Sequence, residues 1–113
     1  GGPSTSTPLT INLTTGQAFE TAAGPTTSPN TVTWTAGIIE DATGGNGGDT
    51  ITGSSRSNFI DGFLGADNID VSSDPSVTDT VNCGLNDSAT DVVTKNASDQ
   101  TINCGSDTIV NVP

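Results

Sequence analysis

Asp49 and Asp67 are the residues whose type and spacing best suit chemistry: two carboxylates 18 positions apart, each closing a glycine-rich turn. The run Gly44-Gly45-Asn46-Gly47-Gly48-Asp49-Thr50-Ile51-Thr52 has the form Gly-Gly-x-Gly-x-Asp-x-U-x, where U is a large apolar residue. The next nine, Gly53 to Asp61, keep the first Gly, put Asn58 at the acidic position and Ile60 at U. The third nine, Gly62 to Asp70, restore the acid with Asp67 and carry Ile69 at U. Ile51, Ile60 and Ile69 therefore align, and so do Asp49, Asn58 and Asp67.

This period predicts an all-β parallel β-roll, a β-solenoid of short strands joined by tight turns. Each nine supplies one turn and one strand with U pointing inward, and two nines complete a coil. Residues 18 apart then stack one strand spacing apart, about 4.8 Å. Stacked turns offer carboxylates and backbone carbonyls together, which is the donor set of a hard cation. Calcium takes roughly six to eight oxygens at about 2.3–2.6 Å. The candidate ligands are Asp49 and Asp67 with the turn residues Gly45, Gly47 and Gly65. Asn58 is a weaker candidate, being neutral and preceded by Arg56 where Gly is preferred. Calcium-free turns held by Asn and backbone bonds are the competing reading, strongest on the Asn58 side. The glycines are expected to supply positive φ and to leave carbonyls accessible.

Other elements must position these turns. Gly1 to Pro8 reads as a flexible arm or linker. Residues 9–43 are expected to cap the roll: Leu9 to Leu13 alternates apolar and polar like a half-buried strand, and Thr31 to Thr35 alternates again. Trp34 is placed at the apolar end of the core, and Gly16 to Asn30 is read as mostly loop. Residues 44–70 hold the nonapeptides. Residues 71–113 hold degenerate repeats at Asp79-Thr80-Val81-Asn82, Asp91-Val92-Val93-Thr94, Gln100-Thr101-Ile102-Asn103 and Asp107-Thr108-Ile109-Val110, with loops around Pro75 and Asn86. Cys83 lies two residues after Val81 and Cys104 two after Ile102. If the repeats are successive half-coils, both cysteines fall on one side one coil apart, which suits a disulfide. Separate buried thiols are the alternative. With two cysteines and no His, the chain lacks the soft ligands of a zinc site, and zinc is not expected.

Composition narrows the function. The formal net charge is −11, with 13 acids against Arg56 and Lys95, and all the acids but Glu20 lie between Glu40 and Asp107. Nucleic acid and anionic membranes are poor partners for such a chain and cations are good ones. Hydrophobic residues make up 30% and aromatics 4%, too little for an ordinary globular core but enough for a solenoid one side chain wide. No apolar run reaches the roughly 18 residues of a membrane helix. No nucleophile motif or isolated acid–base pair is present, so an enzyme is not expected. The absence of Met is expected of a processed product or an excised fragment.

The stretch Gly37 to Gly53 resembles the RTX calcium-binding repeat family, including the β-roll domains of serralysin-type secreted proteases. In that family a strand like Thr10-Ile11-Asn12-Leu13 precedes a segment similar to Gly37-Ile38-Ile39-Glu40, and glycine-rich nines follow. The resemblance covers about residues 9 to 70. It implies an extracellular calcium-binding β-roll, with Gly45, Gly47 and Asp49 in one turn and Gly65 and Asp67 in the stacked one at liganding positions. The cysteine-bearing final third departs from the family pattern.

Three roles follow as expectations. The first is a calcium-binding structural module of a secreted or cell-surface protein, folded or stabilised by the ion. The second is a self-assembling subunit of an extracellular filament or surface layer, pairing with copies of itself through terminal strands. The third is an adhesion module.

Overall fold

A computed structural model describes residues 8–20, 32–33, 40–84, 89–105 and 107–113. Gly37, Ile38, Ile39, Trp34, the arm before Pro8 and the Asn86 loop lie outside the described residues. Among the described residues every element is a strand, and no helix is long and apolar enough to cross a membrane.

The strands are β1 (Leu9–Asn12), β2 (Gln17–Glu20), β3 (Val32–Thr33), β4 (Asp41–Thr43), β5 (Thr50–Thr52), β6 (Phe59–Asp61), β7 (Asn68–Asp70), β8 (Thr80–Asn82), β9 (Val92–Asn96), β10 (Gln100–Ile102) and β11 (Thr108–Val112). From β4 onward they alternate between two sheets, ordered β10-β8-β6-β4 and β11-β9-β7-β5-β1-β2-β3. All pairings of the roll are parallel, so the chain winds as a β-solenoid of about 3 turns. Short strands with one inward residue each can pair this way because the turns between them take up the whole reversal.

The aligned apolar residues stack as expected. Ile11, Ile51, Ile69, Val93 and Ile109 form the inner column of the larger sheet. Ala42, Ile60, Val81 and Thr101 form that of the smaller one. Ile51, Ile60, Ile69, Val81 and Val93 are fully buried. Each such side chain contributes about 1.5–3 kcal/mol by leaving water. Leu13 and Val71, also fully buried, extend the core past the strand ends.

Within Gly16 to Asn30, read as mostly loop, Gln17–Glu20 is a strand that pairs antiparallel with β1 through Ile11↔Ala18 and Asn12↔Gln17, and residues 21–30 lie outside the described residues. This hairpin gives the first coil a second edge partner. Ile102 is not the inward residue of its repeat. Thr101 stacks on Val81, and Ile102 points out with 43% exposure. Thr is β-branched and fills the smaller end of the core, so hydrophobicity alone misplaced this repeat by one residue.

Candidate functional site

Two columns of polar residues run along the roll, one at the start of each sheet's strands. In the first, the Leu9 N–H donates to Asp49 Oδ1 (2.8 Å), the Asp49 N–H to Asp67 Oδ1 (2.8 Å), the Asp67 N–H to Asp91 Oδ1 (2.8 Å) and the Asp91 N–H to Asp107 Oδ1 (3.0 Å). In the second, the Asn58 N–H donates to Asp79 Oδ1 (2.6 Å) and the Asp79 N–H to Asp99 Oδ1 (2.8 Å). Asp49, Asp67, Asp79 and Asp91 also hold the next coil through their carbonyls, as Asp49 O accepts the Asn68 N–H (2.8 Å) and Asp67 O the Val92 N–H (2.8 Å). Asp49, Asp67, Asp79 and Asp91 are at most 2% exposed. The acids are thus joints between coils, satisfying backbone groups that the tight turns would otherwise orphan.

The first glycine of each nine makes room for this side chain. A Cβ on Gly44 would collide with Asp49 Oδ2, and one on Gly62 with Asp67 Oδ2. On Gly53 it would lie 2.7 Å from Asn58 Oδ1. Of the turn glycines in the nines only Gly65 has positive φ, at 101°. Glycine is therefore needed here chiefly for space, and the expectation of general positive φ is corrected. Gly65 also lies so close to the Gly47 carbonyl that a Cβ would not fit. The turns Gly44–Gly48 and Gly62–Ala66 are in direct stacking contact, with Leu64 N–H reaching Gly45 O (3.3 Å).

All five strong ligand candidates therefore sit in two adjacent turns. Asp49 and Asp67 stack one coil apart, and Gly45, Gly47 and Gly65 line the same pair of turns. The Asp49 carboxylate already accepts from Leu9 and, through Oδ2, from the Gly45 N–H (2.6 Å). Burial nevertheless pushes its pKa above the ordinary 3.8, against the lowering effect of those two bonds. A carboxylate has about four lone-pair sites, so both acids keep acceptor capacity. The donor set is hard oxygen throughout and suits calcium in kind.

Asn58 behaves differently. Its Oδ1 accepts the Ser54 N–H (2.7 Å), and its Nδ2 donates to Glu40 O (3.0 Å) and Ser54 Oγ (3.2 Å). The amide oxygen and nitrogen both have partners that brace its own turn to the preceding coil, and a neutral amide is a weaker cation ligand than a carboxylate. Arg56 sits at the surface, paired with Glu40 at 3.0 Å.

Cys83 and Cys104 form a disulfide with Cα atoms 5.1 Å apart. Cys83 takes the place in its stack that Gly44 and Gly62 hold, each donating its N–H to the following coil. Cys104 lies one residue later than register alone would put it. Asn103 absorbs the extra residue with φ 57°, its Nδ2 donating to Asn82 Oδ1 (3.1 Å). Asp107 comes within 4.8 Å of both sulfurs, but disulfide sulfurs offer no thiolate to a metal.

Asp79, Asp91, Asp99 and Asp107 extend the columns and were not among the candidate site residues. The available signal was Asp-x-U, with Thr101 admitted at U after Asp99. No protein-family model, curated protein or solved structure matches this chain.

Proposed function

We propose that this chain is a calcium-binding structural module of a secreted or cell-surface protein, of the RTX type, whose roll is stabilised by an ion at Asp49 and Asp67. The observation that carries the reading is a column of buried acids in a chain whose two basic side chains are both engaged elsewhere. The chain has only two basic residues. Arg56 is spent on Glu40 at the surface, and Lys95 Nζ donates to the carbonyls of Asn96 (3.1 Å) and Asp99 (3.0 Å). Backbone N–H groups offset part of the cost of these charges, and a divalent cation would offset much of the rest. Asp49 and Asp67 would hold it together with carbonyls of Gly45, Gly47 and Gly65. Asn58, neutral and bonded through both ends of its amide, is left out of the set. The disulfide supports an oxidising, extracytoplasmic setting.

The test is metal analysis of the purified protein beside circular dichroism with and without chelator. Bound calcium and a loss of β signal on chelation are expected. An unchanged spectrum in chelator from a protein that carries no calcium contradicts the reading.

Self-assembly is the second reading, favoured by β10 and β11, each of which has a strand partner on one side only among the described residues. The acid columns themselves close locally there, since the Asp99 N–H turns back to Asn96 O (3.1 Å) and the Asp107 N–H to Cys104 O (2.7 Å). Sedimentation at rising concentration in calcium distinguishes the two, and monomers throughout would exclude assembly.

A further inference from the structure

Asp79 differs from Asp49 and Asn58 in one atom. In Asp49 and Asn58 a side-chain oxygen accepts the N–H of the residue four positions earlier, Gly45 and Ser54 respectively. Four positions before Asp79 stands Pro75, which has no N–H to give. Asp79 is fully buried, and its Oδ2 has no hydrogen-bond partner. Its Oδ1 alone is satisfied, by the Asn58 N–H.

The charged groups around it do not help. Asp99 lies next along the column, its Oδ1 taking the Asp79 N–H, and Asp74 lies in the loop that precedes Asp79. Both are acidic. On the opposite side Asn58 is neutral. Lys95 is engaged with carbonyls at the Asp99 turn, and Arg56 with Glu40. The Val71–Thr78 loop leads from β7 into Asp79 and stacks beside the Ser54–Ser57 turn. It is tied down by Ser73 Oγ to Ser54 O (3.0 Å), by Ser57 Oγ to Thr78 O and by the Val71 N–H to Thr94 O (2.9 Å). Within it Asp74 Oδ1 accepts from the Ser76 N–H (2.9 Å) and Oγ (2.5 Å).

We propose that Asp79 is a proton-operated latch for the Val71–Thr78 loop: the neutral acid lets the loop seat on the roll, and the ionised acid loosens it. An ionised Oδ2 requires water, and water reaches it by parting the loop from the column. A proton on Oδ2 removes that demand. Burial, with smaller contributions from Asp99 and Asp74, pushes Asp79 up to about 6, despite the opposing bond from Asn58. The latch therefore changes state in mildly acidic solution.

The experiment follows the carboxyl carbon of Asp79 by NMR through a pH titration in chelator, with amide hydrogen exchange in the loop read alongside. The expected carboxyl midpoint is near 6, and exchange in residues 71–78, relative to its intrinsic rate at each pH, steps up across the same midpoint. Asp79→Asn abolishes that step in exchange. Pro75→Ala restores a backbone N–H and moves the midpoint down by about one unit, a tenfold change in proton affinity. A carboxyl midpoint near 3.8, or a step in loop exchange that persists in Asp79→Asn, overturns the proposal. If Asp79→Asn does not fold, Pro75→Ala and the wild-type titration still decide it.

Discussion

The backbone N–H of Asp49 donates to the carboxylate of Asp67, 18 residues further on and one coil away, at 2.8 Å. The same relation links Asp67 to Asp91 and Asp91 to Asp107. A side chain therefore does between coils what backbone carbonyls do within the sheets. The column fixes the register of the turns, and it concentrates negative charge along one line of the roll.

Charge and hydrogen bonding in this column separate by substitution. Asp91→Asn keeps an acceptor for the Asp67 N–H and removes a buried charge, so in chelator it is expected to be neutral or stabilising. Asp91→Ala leaves that N–H without its acceptor and is expected to cost about 1–3 kcal/mol. Chemical denaturation of both variants in chelator checks this. Equal losses for the two would show that the acid is needed for its charge.

The glycines should rank by the space a methyl group would meet. Gly62→Ala collides with Asp67 Oδ2 and crowds the Ile69 side chain at 3.3 Å, so a loss of about 1–3 kcal/mol is expected. Gly45→Ala meets Leu9 only at 3.7 Å, and Gly105→Ala meets nothing within 4 Å. Both should lie within about 1 kcal/mol of wild type. Thermal melts of the three variants under one condition give the order directly.

Opening Cys83–Cys104 frees a loop closed across a sequence separation of 21. The expected loss is about 3 kcal/mol, most of it from the added freedom of the unfolded chain. Cys83→Ser with Cys104→Ser, compared with wild type in denaturant, measures it. The β signal of the nonapeptide coils should persist in the double variant when calcium is present.

The pH dependence has a definite sign. Asp49 and Asp79 have pKa values raised above 3.8, so the folded state holds protons more tightly than the unfolded chain. Their contribution is greatest below the ordinary carboxylate value and is lost as pH rises, through about 6 for Asp79. Melting temperature in chelator should fall across that window. Calcium, competing with the proton at Asp49, should reduce the fall. A melting temperature that climbs with pH in chelator would contradict both assignments.

The period of nine was legible because Gly, Asp and Ile recur together, and each has a separate physical duty. Ile51, Ile60 and Ile69 fill the core, Asp49 and Asp67 join coils, and Gly44 and Gly62 leave space for the carboxylates. The disulfide was legible from the same register, although Asn103 shifts Cys104 by one residue. Less could be read where a duty passed to another residue type. Thr101 holds an inward position that hydrophobicity assigned to Ile102, and this hid Asp99. β2 was missed because Gln17 to Glu20 owes its strand to the neighbouring β1, and no apolar alternation announces it. That the acids accept backbone N–H groups was not legible at all, since spacing shows which carboxylates stack but not which atoms they meet.

The central claim is tested most directly by calorimetric titration of calcium into the chelator-stripped protein, with Asp67→Asn and Asp79→Asn run in parallel. The account predicts saturable binding by wild type, binding weakened at least tenfold in Asp67→Asn, and binding little changed in Asp79→Asn. No saturable heat with wild type, or equal binding by wild type and Asp67→Asn, would contradict a calcium site between the Asp49 and Asp67 turns.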